Sequence, residues 1–160
     1  MKIAVCPGSF DPVTLGHLDI IERATELFDK VVVLVMSNSA KHCAFTVEER
    51  IELLKKCVHN PKIEIDTYGG LLVDYAKKKN AVSIVKGLRA VSDFDYEFQQ
   101  ALINKSLYPK IETVFLAARG ENMFLSSSMV KEVCSLDGDI SPYVPKEIVK
   151  DIYLRCKGEN

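Results

Sequence analysis

The run Gly8-Ser9-Phe10-Asp11-Pro12-Val13-Thr14-Leu15-Gly16-His17 combines small, hydroxyl-bearing and imidazole side chains in an order suited to an anion. It lies between an apolar run with strand character, Ile3-Ala4-Val5-Cys6, and an amphipathic run with helical character, Leu18 to Phe28. Such a strand–loop–helix junction offers backbone N–H groups and a helix N-terminus to a phosphate. Gly16 lets a ligand approach the backbone closely. His17, in the first helical turn, can hydrogen-bond a phosphate oxygen and carry positive charge where its surroundings favour it. The run is not the three-glycine dinucleotide fingerprint, and no Gly-Lys-Ser/Thr follows to make a P-loop. An isolated run of this kind would read as a capped helix with a surface histidine.

The elements that must position these groups follow from periodicity. Strands are expected at Lys2–Cys6, Val31–Met36, Lys62–Thr67, Ser83–Val85 and Thr113–Ala117, rich in β-branched residues as strands covered on both faces are. Helices fill the gaps. Ile21, Ala24 and Phe28 mark one face of the first. Thr46-Val47-Glu48-Glu49 is a capping box opening the second, which Asn60-Pro61 ends. Leu71 to Lys79 makes the third, and Asp93 to Leu107 a longer fourth with Phe94, Phe98 and Leu102 as its apolar stripe. Ser127 or Ser128 caps a fifth reaching Leu136, and Pro145 opens the last, to Arg155.

Strands alternating with helices imply a Rossmann-like, doubly wound, five-stranded parallel α/β sheet with helices on both faces, as one domain over residues 1–160. Such sheets bind ligands beyond the carboxyl ends of their strands. The segments after each expected strand carry polar and small residues: Pro7 to His17, Ser37 to Lys41, Tyr68-Gly69-Gly70, Lys86 to Arg89, and Arg119-Gly120-Glu121 followed by Ser126-Ser127-Ser128. All five would share one sheet edge.

Composition narrows the function classes. Hydrophobic residues make up 48% of the chain and its net charge is -1, so no global basic field marks a nucleic-acid binder. Local cations must hold any anionic ligand. The five cysteines, Cys6, Cys43, Cys57, Cys134 and Cys156, are widely spaced without a Cys-x-x-Cys pair, which argues for small buried thiols. The start of the chain lacks the pattern of a signal peptide, and no apolar run is long enough for a membrane span. A soluble cytoplasmic protein is the expectation.

Thr14-Leu15-Gly16-His17 resembles the nucleotidylyltransferase motif, Thr or His, any residue, then Gly-His. Four blocks together resemble the bacterial phosphopantetheine adenylyltransferase family: PGSFDPVTLGH (Pro7 to His17), FTVEER (Phe45 to Arg50), KGLRAVSDFDYE (Lys86 to Glu97) and SSSMVKEV (Ser126 to Val133). The resemblance runs from Val5 to about Tyr143. It implies that the 4′-phosphopantetheine phosphate attacks the α-phosphorus of ATP, with dephospho-coenzyme A as product and pyrophosphate leaving.

Residue by residue, the resemblance implies that His17 stabilises the transition state. It implies that Ser9, Lys41, Leu72 and Lys86 bind the acceptor. ATP would be bound by Ser9, Phe10, His17, Gly87, Leu88, Arg89, Glu97 and the segment Asn122, Met123, Phe124, Leu125, Ser126, Ser127 and Ser128. The spacing before Leu72 shifts by one relative to the family. Lys86 stands where the family usually has Arg, keeping the charge and losing the bidentate fork. Asn122-Met123 departs from the aromatic residue common there. Mg²⁺ is expected on the ATP phosphates rather than in a carboxylate cage, and Asp11 reads as a local turn residue. Coenzyme A as a further ligand and a homohexamer also follow from the resemblance, with no nucleic-acid or membrane partner.

Two other readings stay open. A sister nucleotidylyltransferase would act on nicotinamide mononucleotide, or on an alcohol phosphate with CTP. A non-catalytic adenine-nucleotide module would have little use for His17 together with Lys41.

Overall fold

Residues 1–37 and 43–158 are described by the computed structural model, and of Ser92 the backbone alone. Five strands, β1 (Ile3–Gly8), β2 (Lys30–Met36), β3 (Ile63–Tyr68), β4 (Ser83–Leu88) and β5 (Glu112–Ala117), pair in parallel in the order β3-β2-β1-β4-β5. The chain winds outward from β1 to β3, then crosses back to place β4 on the other side of β1. That reversal is a topological switch point, and the carboxyl ends of β1 and β4 flank it.

Side-chain alternation divides the core into two layers. Val31, Val32, Val33, Leu34 and Val35 of β2 are all 0% exposed. Val31, Val33 and Val35 face one cluster with Ala4, Cys6 and Val85. Val32 and Leu34 face the other with Val5 and Ile84. A strand slipped by one residue would exchange the two sets, so the register is tightly specified.

Six helices cover the faces: α1 (Leu15–Leu27), α2 (Val47–Cys57), α3 (Leu72–Lys78), α4 (Val91–Leu107), α5 (Ser127–Ser135) and α6 (Val149–Cys156). The first cluster takes Ile21 and Ala24 of α1, Leu53 and Leu54 of α2, Val130 of α5 and Ile152 of α6. The second takes Tyr75 and Ala76 of α3. The expected capping box of α2 is present: Thr46 Oγ1 accepts from Glu49 N at 3.2 Å, and Glu49 accepts from Thr46 N at 2.8 Å.

Several boundaries differ from the sequence expectation. β1 continues through Pro7 and Gly8, and β4 through Lys86, Gly87 and Leu88, because their ladders to β2 and β5 continue. Lys86 and Gly87 are therefore strand residues. α1 starts at Leu15 because Thr14 caps it, and α4 starts at Val91 behind Ala90. Ser126, rather than Ser127 or Ser128, caps α5, its Oγ accepting from Met129 N at 3.1 Å. Pro145 precedes a 3-10 turn, Lys146–Ile148, that leads into α6. Phe94, Phe98 and Leu102 are 39%, 44% and 55% exposed, so the expected core stripe of α4 faces outward. Phe94 stacks on Phe98 at 5.3 Å and meets Phe115 of β5 edge-on at 5.9 Å.

Leu54 is 0% exposed, on the buried face of α2. Leu54→Ala is expected to destabilise the fold by about 2–5 kcal/mol, and Thr46→Ala by about 1 kcal/mol through loss of the cap. Urea unfolding of both variants checks the ordering.

Candidate active site

A cavity of about 810 Å³ opens at the carboxyl edge of the sheet. Its walls come from the β1–α1 loop, the ends of β2 and β4, the segments before α3 and α5, and one side of α4. Ser9, Phe10, His17, Leu72, Lys86, Gly87, Arg89, Glu97, Asn122, Leu125, Ser126, Ser127 and Ser128 all line it. Leu88, Met123 and Phe124 do not. Met123 and Phe124 are 51% and 53% exposed, and the Phe124 ring packs edge-on against Tyr143 at 5.8 Å. Lys41 lies outside the described residues.

His17 is held by the helix it begins. Thr14 Oγ1 caps α1 by accepting from His17 N at 3.3 Å. In return, the His17 ring accepts at Nδ1 from the Thr14 backbone N–H at 3.0 Å. This is a capping box with imidazole in the place of the usual carboxylate. An imidazole whose Nδ1 accepts carries its remaining proton on Nε2, on the far side of the ring from Thr14. Burial, and next the positive charge of Arg89, lower the His17 pKa from 6.5 to about 4. The ring is therefore neutral at physiological pH and a hydrogen-bond donor through Nε2, and its surroundings do not favour the cation.

Phe10 fixes the other side of that ring. It adopts φ 49, a left-handed conformation unusual for a bulky residue and a sign of stored strain. Its ring meets His17 edge-on with centroids 5.2 Å apart and is 3% exposed. Gly8 makes the bend possible: a Cβ there would stand 2.8 Å from Phe10 Cζ.

Arg89 is oriented before any ligand arrives. Its Nε donates to Asp93 Oδ2 at 3.0 Å, Nη2 to Asp93 Oδ1 at 3.3 Å, and Nη1 to the Leu125 carbonyl at 2.8 Å. Three of its five N–H donors are thus spent on aim, leaving two for a ligand. Lys86 faces Glu97: Nζ lies 3.1 Å from Oε2, off hydrogen-bond geometry, and that buried oxygen has no hydrogen-bond partner among the described residues. A phosphate that drew Lys86 away would free Glu97 to accept from a hydroxyl donor.

Next to Leu125, whose carbonyl Arg89 grips, the N-terminus of α5 presents backbone N–H groups among three serines. Ser127 Oγ donates to the Pro12 carbonyl at 2.7 Å, tying this helix to the β1–α1 loop. Asp11 corrects the sequence expectation: it is a long-range anchor, not a local turn residue. Its carboxylate accepts from Ala44 N at 3.0 Å and Phe45 N at 2.9 Å and pairs with Lys131 Nζ at 2.7 Å. Burial alone would raise its pKa, but Lys131 and the two N–H groups hold it below the usual carboxylate value.

Sequence reasoning quoted Thr14 and Arg50 only as members of motifs and missed the capping role of Thr14, the loop contacts of Arg50 and the Arg89-aiming role of Asp93. Thr14 was readable from Thr-x-x-His, had His been admitted at the position where Glu or Gln normally closes a capping box. Arg50 and Asp93 act across the fold or through another side chain, which spacing does not reveal.

Comparison with known proteins extends this geometry. Residues 5–133 match the family model described as cytidylyltransferase-like. The chain is 51% identical over 158 residues to a phosphopantetheine adenylyltransferase from Caldanaerobacter subterraneus subsp. tengcongensis, covering 98% of this chain and 99% of that one. It is 52% identical, with the same coverage, to a phosphopantetheine adenylyltransferase from Clostridium botulinum. Among solved structures, nicotinic acid mononucleotide adenylyltransferase from Plasmodium falciparum superposes with a TM-score of 0.68 at 16% identity, covering 96% of this chain and 95% of that one, which supports the fold alone.

A titration of His17 by NMR in the free protein is expected to give a midpoint near 4, as burial dictates. Because the folded value lies below the unfolded one, His17 adds stability above pH 6.5 that is lost as pH falls towards 4. A midpoint at 6.5 would contradict the neutral donor.

Proposed function

We infer from one premise, that the chain belongs to the phosphopantetheine adenylyltransferase family of cytidylyltransferase-like proteins, that it transfers the adenylyl group of ATP to 4′-phosphopantetheine. The products are dephospho-coenzyme A and pyrophosphate. The carrying observation is the neutral His17, pinned through Nδ1 at the start of α1, in one cavity with Arg89 and the N-terminus of α5.

An oxygen of the acceptor phosphate attacks the α-phosphorus of ATP. The new P–O bond forms as the bond from the α-phosphorus to the bridging oxygen breaks, and the electron pair leaves with pyrophosphate. No side chain is adenylylated, so positioning and charge stabilisation carry the rate. His17 donates from Nε2 to an α-phosphate oxygen, where negative charge develops. The two free Arg89 donors hold the β- and γ-phosphates, assisted by the α5 N-terminus. Lys86 and Lys41 hold the acceptor phosphate, Leu72 borders the pantetheine arm, and Glu97 accepts from a ribose hydroxyl. Mg²⁺ enters as part of the substrate, on the ATP phosphates, since the cavity carboxylates Asp93 and Glu97 already face Arg89 and Lys86.

The cytoplasm is the proposed compartment. Five free thiols suit a reducing environment, and among the described residues no helix is long and apolar enough to cross a membrane. A homohexamer is the proposed assembly, supported by the outward apolar face of α4. Its mass in sedimentation would be six times the 17.9 kDa of one chain.

The test is pyrophosphate release with ATP, Mg²⁺ and 4′-phosphopantetheine, set against CTP and nicotinamide mononucleotide. Preference for either of the latter would replace this reading with a sister enzyme, and tight ATP binding without turnover would replace it with a binding module. In the same assay, Arg89→Ala is expected to lower kcat/KM for ATP more than Lys86→Ala, and Lys86→Arg to keep activity. An inactive Lys86→Arg beside an active Arg89→Ala would remove the polyphosphate role from Arg89.

A further inference from the structure

Arg50, in the FTVEER block, touches no cavity surface, yet it joins two cavity walls. It is 3% exposed, on the buried face of α2. Its Nη1 donates to the Ser9 carbonyl at 2.7 Å and to the Met36 carbonyl at 3.2 Å, and its Nε donates to the Thr46 carbonyl at 3.2 Å. Ser9 lies in the β1–α1 loop and Met36 ends β2; both line the cavity. Among the described residues no carboxylate pairs with this guanidinium.

A buried cation without a counter-ion is costly, and an apolar side chain of similar volume would ordinarily serve packing better. What the guanidinium supplies instead is geometry. One nitrogen holds two carbonyls, one from the β1–α1 loop and one from the end of β2, while the Nε of the group is fixed to the cap of α2. Asp11 makes the complementary link from the same loop, to Ala44 N and Phe45 N just before α2. The strained Phe10 sits between these two anchors, Ser9 and Asp11, and its ring rests on His17.

We propose that Arg50 is a positioning residue for adenylyl transfer: by gripping the carbonyls of Ser9 and Met36 it holds the β1–α1 loop in the bend that seats Phe10 against His17. The proposal rests on the adenylyl-transfer reading for its kinetic consequence but not for its structural one. Loosening the loop displaces the donor that acts on the developing charge, and sub-ångström to ångström errors of this kind are expensive in rate. ATP binding, whose polyphosphate is held chiefly by Arg89 and the N-terminus of α5, should change less than turnover.

Two variants test it. Arg50→Lys keeps the buried charge but cannot grip both carbonyls and Thr46 together; Arg50→Met keeps volume and removes the grip. Both are expected to lower kcat by roughly tenfold or more with KM for ATP within about twofold, Arg50→Met more severely. By NMR, the His17 midpoint is expected to rise from about 4 towards 6.5 as the Phe10 contact loosens. If Arg50→Met does not fold, Arg50→Lys decides. Wild-type kcat with an unmoved His17 midpoint in a folded variant would reduce Arg50 to a packing residue and overturn the proposal. Should the wild-type protein release no pyrophosphate, the functional reading fails, and the His17 midpoint in the variants still decides the role of Arg50.

Discussion

The hydrogen bond from the Thr14 backbone N–H to Nδ1 of His17 is the contact on which the rest of the active site depends. It satisfies a backbone donor that the start of α1 would otherwise leave unpaired, and so it serves the fold. The same bond assigns the imidazole proton to Nε2, and so it serves the chemistry. A helix N-terminus disfavours an added cation, and burial does so more strongly. Burial, and next the Arg89 charge, keep the ring neutral, which makes it a fixed dipole rather than a mobile charge.

Positive charge is supplied separately and arrives already aimed. Arg89 spends three donors on Asp93 and Leu125 and keeps two. Lys86 waits against Glu97. The parallel sheet brings these groups together because β1 and β4 are neighbours at the point where the winding reverses. Residues 17 and 89 are thereby placed on one cavity although the rest of α1, all of α2 and α3, and strands β2 to β4 separate them in the chain. Long links then fix the loops between: Ser127 to Pro12, Lys131 to Asp11, and Arg50 to Ser9.

Much of this was legible in the sequence. The Val31–Met36 run read as a buried strand because both faces of it are apolar, and the structure buries both. Thr46 to Glu49 read as a capping box because that signal is local. The site loops were found by applying the strand-end rule to polar segments after each apolar run. What escaped had non-local causes. β4 runs on through Lys86 and Gly87, which look like a loop until β5 is known to pair with them. Gly87 is needed because Ile20 of α1 comes within 2.9 Å of where its Cβ would be. The stripe Phe94, Phe98 and Leu102 has the spacing of a core face but stays largely exposed, with Phe94 alone of the three reaching an aromatic ring of the sheet, since periodicity gives a face and not its depth. Asp11 has turn-forming chemistry, and only the fold shows that its partners are Ala44, Phe45 and Lys131.

The central claim is that a neutral His17 acts by donating a hydrogen bond to charge that develops in the transition state. The direct measurement is steady-state turnover and ATP affinity of His17→Ala beside the wild-type protein, with 4′-phosphopantetheine as acceptor. The account predicts a fall in kcat of roughly 10² or more, the usual consequence of losing one preplaced donor, with a much smaller change in the ATP dissociation constant. A variant that turns over near the wild-type rate, or one whose loss lies wholly in ATP binding, would contradict it.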